Sequence, residues 1–405
     1  MAFPVPSDAV LSALREHRPA NTAEQGYFVY DLDKLKQHLA MLQQQDVVKL
    51  WYAVKANPLS KIVETVANSG INFDVASRGE LSQVIAQGVD AGRVLNTGPA
   101  KSKRQLAEFL VQGVNTFVVE SVNQLTWLEE AAAEQDKKPD VLLRVQLRFD
   151  EGDSNPLGGN SLTPFGLGVD EWCGICAQRY QHVNLCGLHI FQWGNMLNNA
   201  KMYELWSHMV RPLKQLATDI GFELKVLDLG GGFGVDYLGS GQTIDWQTAM
   251  TDLAKVKAEA GVHELWLELG RYAVADCGYY ITSVVDRKTN FGEQQLVLAA
   301  GINHLLRPAI TEQPFPVALL RASTEAKQAF YLHGPLCTSM DCLGHLELPN
   351  DVNVGDQLVF GFVGAYGFTE SMPMFLCHEI AAEYVLDNHE LQLVRQAESA
   401  AWYLR

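Results

Sequence analysis

The sequence predicts an α/β protein: a (β/α)8 barrel over residues 31–270 and an antiparallel β-rich domain over 271–405, which residues 1–30 join. Three observations predict it. Eight short, near-continuous apolar runs recur before Gly270, as expected of strands covered on both faces. The segments between them carry helical periodicity and helix-start signals. After Gly270 the runs become short and partly alternating, separated by Gly, Pro, Asn and Asp, which is the pattern of an antiparallel sheet.

The eight runs are KLWYAV (49–54), INFDV (71–75), RVLNT (93–97), NTFVV (115–119), VLLRVQL (141–147), LCGLHIF (185–191), LKVLDL (224–229) and ELWLEL (264–269). A helical stretch, DLDKLKQHLAMLQQQ (31–45), precedes the first. Between the second and third, Leu81, Val84, Ile85 and Gly88 fall on one face of a 3.6-residue period. Ser77 with Glu80, Ser102 with Gln105 and Ser121 with Gln124 each form a capping box, in which the hydroxyl meets the N3 amide and the Glu or Gln side chain returns to the cap amide. Eight strands joined by helical crossovers fit a barrel, whose usual size is about 250 residues, better than an open doubly wound sheet. Beyond Gly270, CGYYITSVV, QQLVLAA, PVALLRA, QAFYLHG, DQLVFGFV and ELQLVR read as strands, and GYFVY (26–30) as a further one.

Composition narrows the function. A net charge of -16 over 405 residues argues against a nucleic-acid or membrane-surface binder, because phosphates need Lys and Arg. No run of 18 apolar residues offers a membrane span. The opening MAFPVPSDAV lacks a basic segment ahead of an apolar one, so no secretory signal is expected. Seven Cys in a long chain fit reduced thiols and a cytoplasmic location.

In a barrel, reactive groups lie at the C-terminal strand ends. Strand one runs into Lys55, strand two ends in Asp74, strand five carries Arg144 and strand six His189; strand seven runs into Gly230, Gly231 and Gly232, and strand eight reaches Glu268 with Arg271 just beyond. Lys55 follows five apolar or aromatic residues and precedes Asn57-Pro58. It reads either as a snorkelling rim lysine or as a desolvated amine able to form a Schiff base. The glycine run fails the dinucleotide fingerprint, since Val235 stands at its third glycine, and it fails the P-loop. It reads as a tight turn or as a phosphate cradle. A lysine for an imine, amides and an arginine for a phosphate, and a carboxylate for a ring nitrogen are the parts that pyridoxal 5'-phosphate requires.

With those residues in place, the chain resembles the fold type III pyridoxal-phosphate decarboxylases, the ornithine, arginine and diaminopimelate decarboxylase family, over roughly 25–385. YAVKANP is similar to the cofactor-lysine motif and implies the imine on Lys55. FDVASRGE implies Asp74 near that lysine, and LHIFQWGN implies His189 stacked on the ring. LDLGGGFG implies Gly230, Gly231 and Gly232 around the phosphate. ELGRYAVA implies Glu268 at the ring nitrogen and Arg271 at the phosphate, where Tyr366 of GAY also belongs. GPLCTSMD implies Cys337, acting in the partner subunit's site of a homodimer; Cys337, or a group near the catalytic His189, returns the proton after carbon dioxide leaves. INHLLRPA implies Arg307 as ligand for a substrate carboxylate.

Departures from the family pattern shape the substrate. Gln192 stands near the usual phosphate-contacting Ser and is a candidate to replace it. Thr338 follows the reactive Cys in place of an acid, and His304 stands where an Asp is common. Losing two acids disfavours a substrate whose distal ammonium needs pairing. The resemblance therefore implies an amino acid with a polar or carboxylate-bearing far end, as in the subgroup acting on citrate-linked or carrier-linked amino acids in siderophore biosynthesis, with Arg307 and Thr338 as substrate-binding residues. Diaminopimelate decarboxylation is one alternative and a non-catalytic binding protein of the same fold another. A racemase is disfavoured because alanine-racemase-like barrels set an Arg against the ring nitrogen. No metal is expected. WCGICA (172–177) is read as packing on a barrel helix, with Cys173 and Cys176 inward, rather than as a redox motif.

Overall fold

The computed structural model describes residues 8–16, 25–148, 154–155, 158–159 and 162–404. The opening heptapeptide and residues 17–24, expected to join the β-rich domain, lie outside the described residues. The chain divides into two compact units: Leu39–Gly234 with Thr243–Gly270, and Met1–His38 with Val235–Gln242 and Arg271–Arg405.

The first unit is a closed parallel barrel. Its strands are Lys49–Ala53, Asn72–Val75, Val94–Asn96, Thr116–Val119, Asp140–Arg144, Asn184–His189, Val226–Asp228 and Glu264–Leu269. Closure comes from pairing the last with the first, Trp266 against Lys49 through Leu269 against Tyr52. All three expected serine caps form, with Ser77, Ser102 and Ser121 accepting from the N3 amide. The return arm differs: Glu80 and Gln124 accept from the amides of Ala76 and Glu120, one residue before the cap, at 2.6 and 2.9 Å. Gly88 does not lie on the helix face. The helix closes at Ala86, and Gly88, at φ 77°, takes the left-handed conformation that commonly follows a helix end.

Cys173 and Cys176 are not packing residues. The helix there is one turn, Val169–Trp172, and only Trp172 is buried, its indole N–H donating to the Arg144 carbonyl. Both cysteines face solvent.

Trp51, Leu95, Val118, Leu142, Cys186, Val226 and Trp266 fill the barrel interior as one cluster. Residues i and i+2 of a strand share a face. The inward positions two residues further toward the C-terminal mouth are therefore Thr97, Glu120, Arg144, Asp228 and Glu268. On strand six the register slips, Val141 facing Leu185 and Leu142 facing Gly187. That one-residue bulge puts both Cys186 and His189 inside despite their odd spacing.

The second unit holds a nine-stranded sheet. Its main path runs Cys342–Pro349, Lys327–His333, Glu293–Leu298, Gly278–Asn290, Tyr27–Asp31, Ala382–Asp387, Glu390–Arg395. The sheet is mixed: Tyr27–Asp31 runs parallel to Ala382–Asp387, and Glu293–Leu298 parallel to Lys327–His333, while the other pairs are antiparallel. Tyr27, Val29, Tyr279, Ile281, Val359 and Leu386 form its core against Val10 and Leu14 of the helix Asp8–Glu16. No helix among the described residues is long and apolar enough to cross a membrane.

Candidate active site

The barrel mouth gathers charge. The first strand stops at Ala53, and Val54–Ala56 winds into a single 3-10 turn. Lys55 therefore leaves the strand rather than ending it, and its side chain is 52% accessible with Nζ 3.9 Å from Asp74 Oδ2. Of the two readings the sequence left open for Lys55, the structure matches the rim lysine, here set beside a buried acid. Asp74 accepts from the Thr97 hydroxyl at 2.5 Å. Burial and the nearby Glu268 charge lift its carboxyl to about 7, against the pull of Lys55.

Glu268 lies deep in the mouth, Oε1 3.0 Å from His189 Nε2. Burial alone would raise its carboxyl, but His189, Lys55 and Arg144 pull it down to about 2, so it is an anion at neutral pH. Arg144 pairs with Glu120 at 3.2 Å, both buried, and stacks on Phe165 at 4.3 Å. The other Glu120 oxygen accepts from the Gly166 amide at 3.0 Å, which ties the Phe165–Gly168 stretch to the mouth. Lys101, almost fully buried, donates to the Gly98 carbonyl. Burial lowers its amine to about 8, opposed by Glu120.

The glycine turn follows strand seven. A Cβ on Gly231 would meet the Glu268 carbonyl oxygen at 2.2 Å, and Gly232 sits at φ 99°, so both positions require glycine. The Gly230 amide is already taken, donating to Asp228 Oδ1 at 2.8 Å. The amides of Gly231 and Gly232 donate to no acceptor among the described residues. Gln192 lines the same cavity as Gly231 and Gly232. Its side-chain amide is bidentate to the Leu147 backbone, accepting at 3.1 Å and donating at 2.6 Å.

The second unit brings together Arg271, Arg307, Tyr366 and a residue the sequence did not single out, Tyr237. Arg271 donates to the Tyr237 hydroxyl at 2.7 Å and lies 4.8 Å from the Tyr366 ring centroid. Arg307 stacks on the Tyr237 ring at 4.8 Å and donates to Gln313 at 3.0 Å, while its buried Nε has no partner among the described residues. Burial and the Arg271 charge hold its guanidinium below its ordinary value. Tyr366 adopts φ 55°, a strained left-handed conformation that persists where surrounding structure fixes it.

Cys337 is exposed in the loop after Lys327–His333. Buried Asp341 shapes that loop, accepting from the Ile302 amide at 2.8 Å and from the Leu336 amide at 2.7 Å. The Thr338 hydroxyl accepts from the Met340 amide at 3.3 Å, so it caps its own turn. His304 is a buried core histidine, its Nδ1 2.8 Å from the Tyr280 hydroxyl and its Nε2 2.9 Å from the Glu379 carbonyl oxygen. Burial lowers it to about 4, so it is neutral at physiological pH.

Asp228, Glu120, Thr97 and Lys101 were not singled out from the sequence. The signal for the first three was present: each lies two residues past an apolar inward residue on a barrel strand. Lys101 carried no such mark.

A mouth amine, a buried anionic carboxylate and two open glycine amides fit an aldehyde cofactor with an aromatic ring and a phosphate. The class so defined is the barrel enzyme built around pyridoxal phosphate. Residues 32–275 match the family described as pyridoxal-dependent decarboxylase, pyridoxal binding domain, and the chain belongs to that family: it is a pyridoxal-phosphate-dependent amino-acid decarboxylase, a carboxy-lyase. The chain is 28% identical over 367 residues to the 2-[(L-alanin-3-ylcarbamoyl)methyl]-2-hydroxybutanedioate decarboxylase of Staphylococcus aureus, covering 87% of this chain and 92% of that protein. It is also 28% identical to the diaminopimelate decarboxylase of Haemophilus influenzae, covering 86% and 84% respectively. The fold matches the crystal structure of diaminopimelate decarboxylase from Helicobacter pylori complexed with L-lysine, with a TM-score of 0.84, 23% identity and 95% and 97% of the two chains covered.

Proposed function

We propose that the substrate is an amino acid whose far end carries a carboxylate or another polar group, a citrate-linked or carrier-linked amino acid of siderophore or related biosynthesis. The observation that carries this reading is Arg307, a buried guanidinium whose Nε has no partner among the described residues. Thr338 and His304 supply no negative charge to a distal ammonium, because one is a neutral hydroxyl and the other a neutral imidazole held in the core. The Staphylococcus aureus relative, whose named substrate bears several carboxylates, supports the same class.

Bound pyridoxal phosphate supplies the electron sink that accepts the pair left when the α-carboxylate departs. In this reading Lys55 would hold the group through its amine at the barrel mouth, where the substrate amine would also enter. Asp74, 3.9 Å away, takes or gives the proton at Lys55 Nζ, its carboxyl lying near neutrality. Glu268 holds a proton at the ring nitrogen through its fixed negative charge. His189 would pack on the ring, while the amides of Gly231 and Gly232, with Arg271 and Tyr366, would hold the phosphate; the Gly230 amide, expected from the sequence to join them, is committed to Asp228. Cys337 returns a proton to the α-carbon.

The substrate assignment is tested by carbon dioxide release from a panel of free diamino acids and citrate-conjugated amino acids. The conjugates are expected to turn over best, and Arg307→Ala should raise their KM by roughly 10- to 100-fold, the worth of a charge-assisted hydrogen bond. Best turnover on free diaminopimelate would favour a second reading, diaminopimelate decarboxylation. One observation favours that alternative: Glu370 feels the charges of both Arg307 and Arg271, and partial shielding from water raises its carboxyl. It could meet an ammonium.

In this reading Cys337, exposed on its loop, would serve the partner's site of a homodimer, and the enzyme would work in the cytoplasm. Mixing Lys55→Ala with Cys337→Ala chains is expected to restore about a quarter of wild-type activity, because half the dimers are mixed and each holds one intact composite site. A mixture as inactive as its components would refute the shared site.

A further inference from the structure

Asp228 ends barrel strand seven and is fully buried. One oxygen accepts from the Gly230 amide at 2.8 Å. The other, Oδ2, is buried and meets no donor among the described residues. Ligand atoms of Asp228, His189 and Glu268 lie within 4.8 Å of one another. The two carboxylates therefore share one dry space, and the charges around them favour the other partner: His189, Lys55 and Arg144 all stabilise the anion on Glu268. Two buried carboxylates in contact cannot both ionise at neutral pH without a cation between them.

We propose that Asp228 carries the proton of this carboxyl pair and, as a positioning residue, donates it from Oδ2 to Glu268. The proton gives the unpartnered Oδ2 a hydrogen-bond role and gives Glu268 a fixed orientation. With His189 Nε2 on one side and the Asp228 O–H on the other, the Glu268 carboxylate cannot swing away from the mouth. Oδ1 meanwhile anchors the first amide of the glycine turn. Asp228 thus couples two parts of the cofactor site, the anion and the phosphate cradle, through one neutral carboxylic acid. Burial raises its carboxyl well above the ordinary range, with the Glu268 charge adding to the effect. The groups facing it are Glu268 and His189, with Arg144 acting through space.

The orienting role rests on the proposal that Glu268 faces the cofactor ring, whereas the proton itself does not. Asp228→Asn reproduces a neutral acid, accepting from the Gly230 amide and donating to Glu268. Asp228→Ala removes both bonds. An infrared difference spectrum of cofactor-free protein at neutral pH, wild type minus Asp228→Asn, is expected to show a protonated carboxyl C=O band. If that band is absent, Asp228 is ionised and the proposal fails, whatever the role of Glu268. Titrating cofactor into each protein should give a dissociation constant within about threefold of wild type for Asp228→Asn and roughly 10- to 100-fold weaker for Asp228→Ala. Equal losses in the two variants, or none in either, would overturn the positioning role. The band present with no loss in either variant would keep the proton and remove only the link to the cofactor. Melting temperatures measured alongside separate a misfolded variant from a cofactor defect.

Discussion

Lys55→Ala is expected to lose at least about 10³-fold in kcat while the protein stays folded. The side chain is half exposed and leaves a 3-10 turn, so its removal opens no cavity in the core. The loss is therefore chemical. Wild-type enzyme treated with borohydride should retain cofactor covalently, at Lys55 alone on peptide mapping, and the variant should retain none. Added primary amines should restore part of the activity, since they can stand in for the missing Nζ. A variant that keeps most of its turnover, or a cofactor label on another lysine such as Lys101, would remove Lys55 from the mechanism. Lys101 is the sharper rival because its amine is held near 8. However, it is almost wholly buried and committed to the Gly98 carbonyl, where an aldehyde could not approach it without rearrangement.

Glu268→Gln should lower kcat by roughly 10²–10³-fold, the scale found when a preorganised charge aimed at a reacting group is removed. Gln keeps the size of the side chain and its contact with His189, so the change isolates the charge. Because the carboxyl is held at about 2, Glu268 remains an anion throughout the usual assay range. Its folded value is depressed, so its contribution is full above the ordinary carboxylate range and fades only in strong acid. An acid limb in the wild-type rate profile above pH ~4 therefore belongs to another group, and Asp74, near 7, is the first candidate. The same acid limb should persist in Glu268→Gln at a lower plateau. A variant with wild-type kcat would show that the ring nitrogen does not depend on this charge.

The barrel was legible because its strands are both apolar and regularly spaced, and because Ser77, Ser102 and Ser121 mark helix starts by a local hydrogen bond that the sequence alone specifies. Lys55 and Glu268 were legible for a related reason: an ionisable residue terminating an apolar run has few structural explanations. Asp228 was overlooked because the glycines after it drew attention, although Val226 two residues earlier already set its side. His189 sits inside only through the bulge at Cys186, a register slip set by pairing with strand five. The bond of Gln192 to the Leu147 backbone was not legible because that partner belongs to another loop. The cysteines of 172–177 were misplaced because a helix was assumed where only one turn forms, and Gly88 because periodicity continued past the point where a left-handed glycine was needed. The Gln192 contact is tertiary, whereas Gly88 is a local matter of helix termination. The division into units was least legible, since Val235–Gln242 belongs with the C-terminal sheet although barrel residues flank it on both sides.

That sheet imposes an order on biosynthesis. Tyr27–Asp31 leaves the ribosome early, yet it pairs with Gly278–Asn290 and Ala382–Asp387, which are translated near the end. At about 5–20 residues per second it waits roughly 20–70 s for its second neighbour. Until Gly278–Asn290 emerges, an apolar YFVYD strand has both edges unsatisfied, and one edge stays so until Ala382–Asp387 follows. The nascent chain is therefore most exposed to aggregation, and most dependent on chaperones, while its catalytic barrel is already being built.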